Sequence, residues 1–165
     1  MSRVVKQLDN WSCAACVAAM ITGETLKDVV EFIGHDGSAI HEDSEHPDKR
    51  ICFSKYEIDS YLLSRGYSFS PEIEIYDQKQ IGSKKVSCDI DTSVRMYLVV
   101  TSDALVGCTH AVYWDGKNVC DPNPSVREHR PMNEYEISHI LLIWEYDKDD
   151  VNAFKKYHTE IKAAS

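Results

Sequence analysis

The spacing of apolar and polar positions along the chain changes from a helical period in the first third to strand-like alternation later. The first apolar segment follows Asn10 and Ser12, either of which can cap a helix, and Gly23 ends it. The segment is rich in alanine, a strong helix former, and it is apolar almost all round. A helix that is apolar on every side is typically buried, so we expect this one to run through the middle of the domain.

Two further helices are predicted from capping boxes, in which Ser or Thr is followed three residues later by an acidic residue. The pairs are Thr25 with Asp28 and Ser54 with Glu57. A glycine ends each predicted helix, Gly34 and Gly66. Between the two helices, His35 to Arg50 is polar and acidic, and we expect a loop there.

The second half of the chain is dominated by strand-like segments. The predicted strands are Ser68–Tyr76, Met96–Thr101, Cys108–Trp114, Lys117–Asp121 and the apolar run within Ile137–Tyr146. A polar connection is expected over Gln78–Lys85, and the charged tail, residues 147–165, is predicted to be helical from Ala153 to Ile161. Helices first and strands later indicate an α+β fold class. Because no Gly-, Ser- or Pro-rich linker divides the chain, residues 1–165 are predicted to form a single domain.

Composition narrows the class of protein. A 165-residue chain with 43% hydrophobic residues can bury a stable core without disulfide bonds or a structural metal. Its formal net charge of −9 argues against a nucleic-acid or anionic-membrane partner, because both need clustered Lys and Arg. No segment approaches the roughly 18 apolar residues of a membrane span. Met1–Lys6 lacks the apolar core of a secretory signal, so the expected location is cytoplasmic.

The cysteines also favour a reducing, cytoplasmic location. Six scattered cysteines do not form the pattern of a disulfide scaffold, and in a reducing compartment they would be free thiols. Cys13 and Cys16 could be half of a zinc site or a redox pair, but no second pair of ligands has similar spacing, and we interpret Cys16 as a core residue. The loop histidines His35, His41 and His46 are interpreted as solvated. We therefore expect no metal and no cofactor.

The candidate chemistry starts with Cys13, which opens the first predicted helix. A helix N-terminus carries about half a positive charge and unpaired N–H groups, and this placement stabilises the reactive thiolate. Gln7 lies six residues upstream. Its amide and the N–H of Cys13 could together supply two donors to a tetrahedral oxyanion.

A second constellation surrounds Asp115-Gly116, a dipeptide typical of a two-residue hairpin turn. In that register, paired positions sum to 231 and His110 faces Asp121 directly. Opposed residues have Cβ atoms about 4.5–5.5 Å apart, so a carboxylate would lie beside the imidazole, fix its tautomer and stabilise its charged form. Pro122 then ends the strand.

These residues resemble the papain-like cysteine peptidases of the C39 and C39-like group, which includes bacteriocin-processing peptidases. The resemblance covers two short patches: Gln7 six residues before a helix-opening Cys13, and Thr-His-Ala-Val-Tyr followed by Asp-Gly and Asp121-Pro122. It implies a buried nucleophile helix packed on an antiparallel β-sheet that carries the histidine and the acid. It also implies Gln7 as oxyanion donor, Cys13 as nucleophile, His110 as base and Asp121 as the orienting acid.

The chain departs from that group in two respects. Ala14 stands where the group often has glycine after the nucleophile, although the residue is still small. The processing peptidases are usually fused to a transporter, and these 165 residues contain no such segment, so cleavage after a double glycine is not implied.

The resulting hypothesis is a cysteine-type peptidase, a thiol hydrolase of peptide or isopeptide bonds that acts on a peptide or protein substrate. His35–Arg50 and Gln78–Asp91 are candidate walls of its groove. Three alternatives stay open. Transglutaminases, phytochelatin synthases and arylamine acetyltransferases use Cys, His and Asp in the same order for acyl transfer. The chain could instead be an inactive papain-like binding module, or a zinc-binding adaptor.

Overall fold

The structure is a computed structural model that describes residues 3–40, 49–75, 90–102, 109–126 and 130–146. Three helices come first: α1 (Cys13–Thr22), α2 (Leu26–Ile33) and α3 (Lys55–Ser64). The strands follow as β1 (Tyr67–Phe69), β2 (Ile73–Glu74), β3 (Met96–Thr101), β4 (Thr109–Trp114), β5 (Val119–Cys120) and β6 (Ile137–Glu145), with a 3-10 turn at Met132–Glu134. The predicted α+β class, with N-terminal helices followed by an antiparallel sheet, is confirmed.

Local capping signals correctly predicted where α2 and α3 begin. The Thr25 hydroxyl accepts a hydrogen bond from the Asp28 N–H, and the Asp28 carboxylate accepts one from the Thr25 N–H. Ser54 and Glu57 form the same reciprocal pair at the start of α3. At the N-terminus of each of these two helices, two N–H groups that would otherwise lack an acceptor are hydrogen-bonded, which fixes the residue at which the helix begins.

The strands form one antiparallel sheet with the order β1-β6-β3-β4-β5, and β2 also pairs with β6. The predicted strand Ser68–Tyr76 is wrong as a continuous element. It divides into β1 and β2 around Ser70-Pro71, where the Ser70 hydroxyl accepts the Leu142 N–H at 3.0 Å in place of a backbone carbonyl. Proline has no N–H to donate to a ladder, so the strand breaks there. Tyr76 lies outside the described residues.

The predicted hairpin register is wrong by two residues. Tyr113 pairs with Cys120 and Trp114 with Val119, so paired positions sum to 233 rather than 231. The connection spans residues 115–118, because the Asp115 carboxylate accepts the N–H groups of Lys117 and Asn118 at 2.9 and 2.7 Å. A backbone hydrogen bond from the Asp115 N–H to the Asn118 carbonyl at 3.1 Å closes the same loop, so the chain reverses one residue later than predicted.

Glycine is required at position 116 of this loop. Gly116 has φ +92°, and a Cβ there would lie 2.8 Å from the carbonyl oxygen of Ser93. A left-handed backbone and a close approach to neighbouring backbone both exclude a side chain. The Asp-Gly signal was therefore informative about the turn, although not about its length.

The core lies on both faces of the sheet. Helix α1 packs on β4, with residues 14–21 buried as predicted from their all-round apolar pattern. Ala111 and Tyr113 of β4 face this helix layer, whereas Val112 belongs to a second apolar cluster with Val119. Strand β4 is thus held from two sides, which fixes the position of the residues it carries.

Several predictions fall outside the described residues. These are the polar connection Gln78–Lys85, the tail from Asp147 with its predicted helix, residues 41–48 of the acidic loop, and Cys88 and Cys108. Within the described part of the chain, no helix is long and apolar enough to cross a membrane.

Candidate active site

Cys13 is the first residue of α1, and an upstream carboxylate shapes the turn that leads into it. Ser12 occupies the N-cap position, but its side chain makes no capping hydrogen bond. Instead, the Asp9 carboxylate accepts the N–H groups of Trp11 and Ser12 at 2.9 and 2.7 Å. Cys13 remains partly exposed, while the residues after it are buried. The thiol therefore lies at a helix N-terminus that solvent can reach.

His110 and Asp121 are in contact, although not as directly opposed residues. The Nε2 atom of His110 lies 2.8 Å from Oδ1 of Asp121, and the two side chains are 15% and 3% exposed. Extending the observed register by one pair places Asp121 opposite Val112, so His110 is its diagonal neighbour on the same face. Diagonal neighbours are within reach of long side chains. The two-residue error in register therefore preserved the contact.

The Asp121 carboxylate accepts three hydrogen bonds. Besides His110, its donors are the backbone N–H of Asn123 at 2.8 Å and the Tyr135 hydroxyl at 2.8 Å. Burial alone would raise the pKa of this carboxyl, but the bonds from His110, Asn123 and Tyr135 outweigh it and lower the pKa below its usual value. Asp121 is thus held ionised in a buried setting, with both oxygens occupied.

His110 also interacts with Cys13. Burial would lower the pKa of the imidazole, but its hydrogen bonds and charge interactions with Asp121 and Cys13 raise that pKa to about 9. Since Nε2 is bonded to Asp121, Nδ1 is the ring nitrogen left for the thiol. The structure thus brings Cys13, His110 and Asp121 together as one chain of contacts, with the imidazole between the other two.

Gln7 is buried beside this chain of contacts. Its backbone N–H donates to the Pro122 carbonyl at 2.9 Å, which ties it to the residue after Asp121. Its side-chain Nε2 donates to the Asp9 carbonyl at 2.7 Å. An amide NH2 has two hydrogens, and this bond uses one. Within the described residues, the buried Oε1 of Gln7 accepts no hydrogen bond.

Lys6 was missed by sequence reasoning, yet it joins the Gln7 segment to the Asp121 loop. Its ammonium donates to the carbonyls of Asp121, Asn123 and Val126 at 2.8, 2.9 and 2.7 Å. All three protons of the ammonium therefore have backbone acceptors. No sequence pattern distinguishes this lysine from a solvated one, since its acceptors lie more than a hundred residues away.

The two buried cysteines, Cys16 and Cys120, differ from Cys13 in their surroundings, whereas Cys52 is partly exposed. Burial raises the pKa of Cys16 to about 12 and that of Cys120 to about 11. Cys16 belongs to the buried face of α1, as predicted. Among the described residues, no group of three potential metal ligands is found. His35 instead bonds Glu57 at 2.8 Å and is only partly exposed, so it is not simply solvated; His41 and His46 lie outside the described residues.

The ends of the acidic loop lie close to the turn before Cys13. The Trp11 indole N–H donates to the Asp36 carbonyl at 3.1 Å, and the Arg50 guanidinium lies 5.4 Å from the Trp11 ring centroid. Ile40 and Arg50 form an isolated β-bridge. The described part of His35–Arg50 therefore borders the site, whereas residues 78–89 of the other predicted wall lie outside the description.

Comparison with models of known protein families and with curated proteins gave no match to this chain. The functional interpretation therefore depends on the geometry of the site and on the residues that form it.

Proposed function

We propose that this chain is a papain-like cysteine peptidase that hydrolyses peptide or isopeptide bonds. The observation that carries the proposal is the position of His110 between two partners, a thiol at a helix N-terminus and a buried, triply hydrogen-bonded carboxylate. A nucleophile, a base and a group that orients the base are the three parts that thiol hydrolysis needs. The papain-like assignment is further supported by the chain order Cys, His, Asp and by a helix layer on an antiparallel sheet.

The first half of the reaction forms an acyl-enzyme. The Cys13 thiolate attacks the substrate carbonyl carbon, a C–S bond forms, and the carbonyl electron pair becomes an oxyanion. The second amide hydrogen of Gln7 and the N–H of Cys13 are the proposed donors to that oxyanion. The His110 imidazolium then gives its proton to the leaving nitrogen, the C–N bond breaks, and the amine departs.

The second half restores the enzyme. Neutral His110 takes a proton from water while the water oxygen bonds to the thioester carbon. Collapse of this intermediate breaks the C–S bond, releases the carboxylic acid, and regenerates the thiolate–imidazolium pair. Asp121 remains ionised throughout, because its hydrogen bonds keep the pKa of its carboxyl low. Its role is to hold the ring and stabilise the imidazolium.

The experiment that tests this proposal is selective alkylation. A trace of iodoacetamide, added to the native protein between pH 4 and 9, should label Cys13 first, because this thiol lies at a solvent-reachable helix N-terminus beside His110. Cys16 and Cys120 should stay unlabelled, because burial raises their pKa values. Mass mapping identifies the modified residue. If Cys13 labels no faster than the other cysteines, no activated thiol exists and the proposal fails.

Paired variants connect the label to turnover. Cys13→Ala should abolish peptide hydrolysis and leave the circular dichroism spectrum unchanged, since the alanine is accepted by the helix. Cys16→Ala, three residues along the same helix, is the matched control and should keep activity. Hydrolysis by the Cys13→Ala protein would contradict the assignment. Mass analysis in the presence of an added amine separates hydrolysis from acyl transfer.

A further inference from the structure

A cavity of about 300 Å³ lies at the C-terminal end of α1, away from the site described above. Residues 19–24, the last turn of the helix and the two residues after it, form one wall, and the N-terminal segment forms another with Arg3 and Val5. Tyr113 of β4 and Arg95, the residue before β3, form the side towards the sheet. At 1.5 Å rise per residue, this end of α1 is about 15 Å from Cys13, so the cavity is separate from the proposed active site.

Two arginine side chains make this cavity positively charged. Arg3 is exposed at its rim and forms no salt bridge within the described residues. The Arg95 guanidinium bonds the carboxylate of Glu145 at 3.0 Å, and that carboxylate is 63% exposed and therefore largely hydrated. Because a guanidinium has five N–H donors, Arg95 keeps donors for a ligand. An anion in the cavity would thus meet two guanidinium groups.

The carboxylate that lines the cavity, that of Glu24, already has partners within the fold. The Nε atom of Arg65 lies 2.8 and 3.0 Å from its two oxygens, and the Tyr61 hydroxyl donates to one of them. Glu24 therefore offers little to a cationic ligand. Three guanidinium groups and two carboxylates form this cluster, which leaves one positive charge on a chain whose net charge is −9.

Tyr113 adds a neutral donor on the sheet side of the cavity. Burial raises the pKa of its phenol, and the nearby Arg95 guanidinium offsets this only in part. The hydroxyl therefore stays protonated beside the guanidinium and can donate to an anion there.

The remaining walls and the volume define the body of the ligand. Val5, Ala19, Met20 and Ile21 present apolar surface to the cavity. Since one liquid water occupies about 30 Å³, the space corresponds to roughly ten non-hydrogen atoms. That is the lower end of the range of small-molecule sites, about 300–1,000 Å³. The occupant is therefore small and partly apolar.

The negative groups of the lining limit the charge of the occupant. The C-terminus of a helix carries about half a negative charge, and Ile21 and Thr22 line the cavity at that end of α1. Together with Glu24, this end disfavours a dianion such as phosphate. A single carboxylate matches the one excess positive charge, and its two oxygens suit the planar guanidinium fork.

We propose that this cavity binds a molecule or a chain end that carries a single carboxylate on an apolar body of about ten non-hydrogen atoms or fewer. The carboxylate lies against Arg3 and Arg95, and the apolar body lies on Val5 and Met20. This site binds its ligand without reacting with it, because the thiol is about 15 Å away. The proposal goes beyond the proposed function and does not depend on it, since no residue of the thiol site takes part.

Titration with 4-methylpentanoate, followed by NMR of the backbone amides, tests the site. Saturable shifts are expected at the amides of Val5 and of residues 20–24. The uncharged 4-methylpentanamide, which has the same size and shape, should bind at least about tenfold more weakly, because it cannot form charge-assisted hydrogen bonds with the arginines. Inorganic phosphate should also bind more weakly than the acid.

Two variants assign the binding to the cavity. Arg3→Gln and Arg95→Gln should each weaken binding of 4-methylpentanoate at least about tenfold, the usual effect of losing one charged hydrogen-bond donor. Arg3 is exposed, so its replacement leaves the fold intact even if Arg95→Gln destabilises it. Arg50→Gln is the matched control, since it removes the same charge beside Trp11, before the other end of α1. This control should bind the acid as the unaltered protein does.

The outcomes that overturn the proposal are distinct from those that test the thiol. No saturable shift at these amides with millimolar acid rejects the site, and so does unaltered binding in both cavity variants. Amide or phosphate that binds as tightly as the acid rejects the carboxylate assignment. None of these measurements uses Cys13, so failure here leaves the iodoacetamide result untouched.

A further probe distinguishes the two sources of the carboxylate. Acetyl-glycyl-leucine that binds more tightly than 4-methylpentanoate supports the site with a peptide C-terminus as its occupant. Weaker binding of the peptide supports the site with a free acid.

Discussion

At Asp121 a carboxylate that is almost fully buried accepts hydrogen bonds from an imidazole, a backbone amide and a phenol. A buried charge is tolerated only when such partners replace its lost water. The same bonds that keep Asp121 ionised also determine the charge of His110. Asp121 therefore influences the protonation of the proposed catalytic centre through His110 and not through a contact with the thiol.

The substitution Asp121→Asn tests whether Asp121 controls the protonation of His110. The neutral amide removes the negative charge of Asp121 and leaves only a weaker, neutral acceptor oxygen for His110, so the pKa of His110 should fall from about 9 towards the ordinary value of 6.5. NMR titration of the His110 ring protons measures it, and circular dichroism checks the fold. A His110 that still titrates near 9 in this variant would show that Asp121 does not control it.

At the scale of elements, residues 6–7 and the loop after β5, residues 121–126, are held together as a single unit. Lys6 bonds three carbonyls of that loop, and Gln7 bonds a fourth, that of Pro122. This unit places the proposed oxyanion donor beside the loop that carries the orienting acid. Movement of either segment would displace both groups together.

Lys6→Met should loosen this unit, because methionine keeps much of the length of the side chain but donates nothing to the three carbonyls. We expect loss of about 1–3 kcal/mol of stability from the unsatisfied acceptors, and a lower kcat with little change in KM. Hydrogen exchange of the Gln7 backbone amide should become faster. Lys117→Met, in the exposed hairpin loop, should leave exchange and turnover unchanged. Unaltered Gln7 exchange in Lys6→Met would contradict the proposed coupling.

The elements predicted from sequence divide according to the range of the interactions that form them. The capping boxes at Thr25 and Ser54 involve residues three positions apart, and both were predicted correctly. The turn at Asp115-Gly116 was recognised, but its length depends on which amides the Asp115 side chain binds, and two registers were compatible with the pattern. Lys6 and Tyr135 could not be found, since each meets its partner only after the sheet has formed.

At the scale of the whole molecule, the stability of the fold depends on pH, because the pKa of His110 differs between the folded and unfolded states. A group whose pKa is higher in the folded state contributes fully below its unfolded pKa and loses that contribution as pH rises through the folded value. For His110 the window runs from 6.5 to about 9. Asp121 has the opposite sign, because its lowered pKa stabilises the fold above the ordinary carboxyl value and that contribution is lost in acid.

Urea unfolding between pH 6 and 10 measures this effect. The free energy of unfolding should fall across the window by on the order of 3 kcal/mol, because folding raises the pKa of His110 from 6.5 to about 9. His110→Asn cannot titrate there and should show a flatter curve. An equal slope in both proteins would assign the loss to other groups.

The position of Asp121 diagonal to His110 has an evolutionary consequence. Side chains of a strand alternate between the two faces of the sheet, so a one-residue shift of β5 against β4 would turn the acid away from the histidine, whereas a shift of two would keep it on the same face. Among descendants of this chain that keep the pair, changes of register at this hairpin should therefore occur in steps of two.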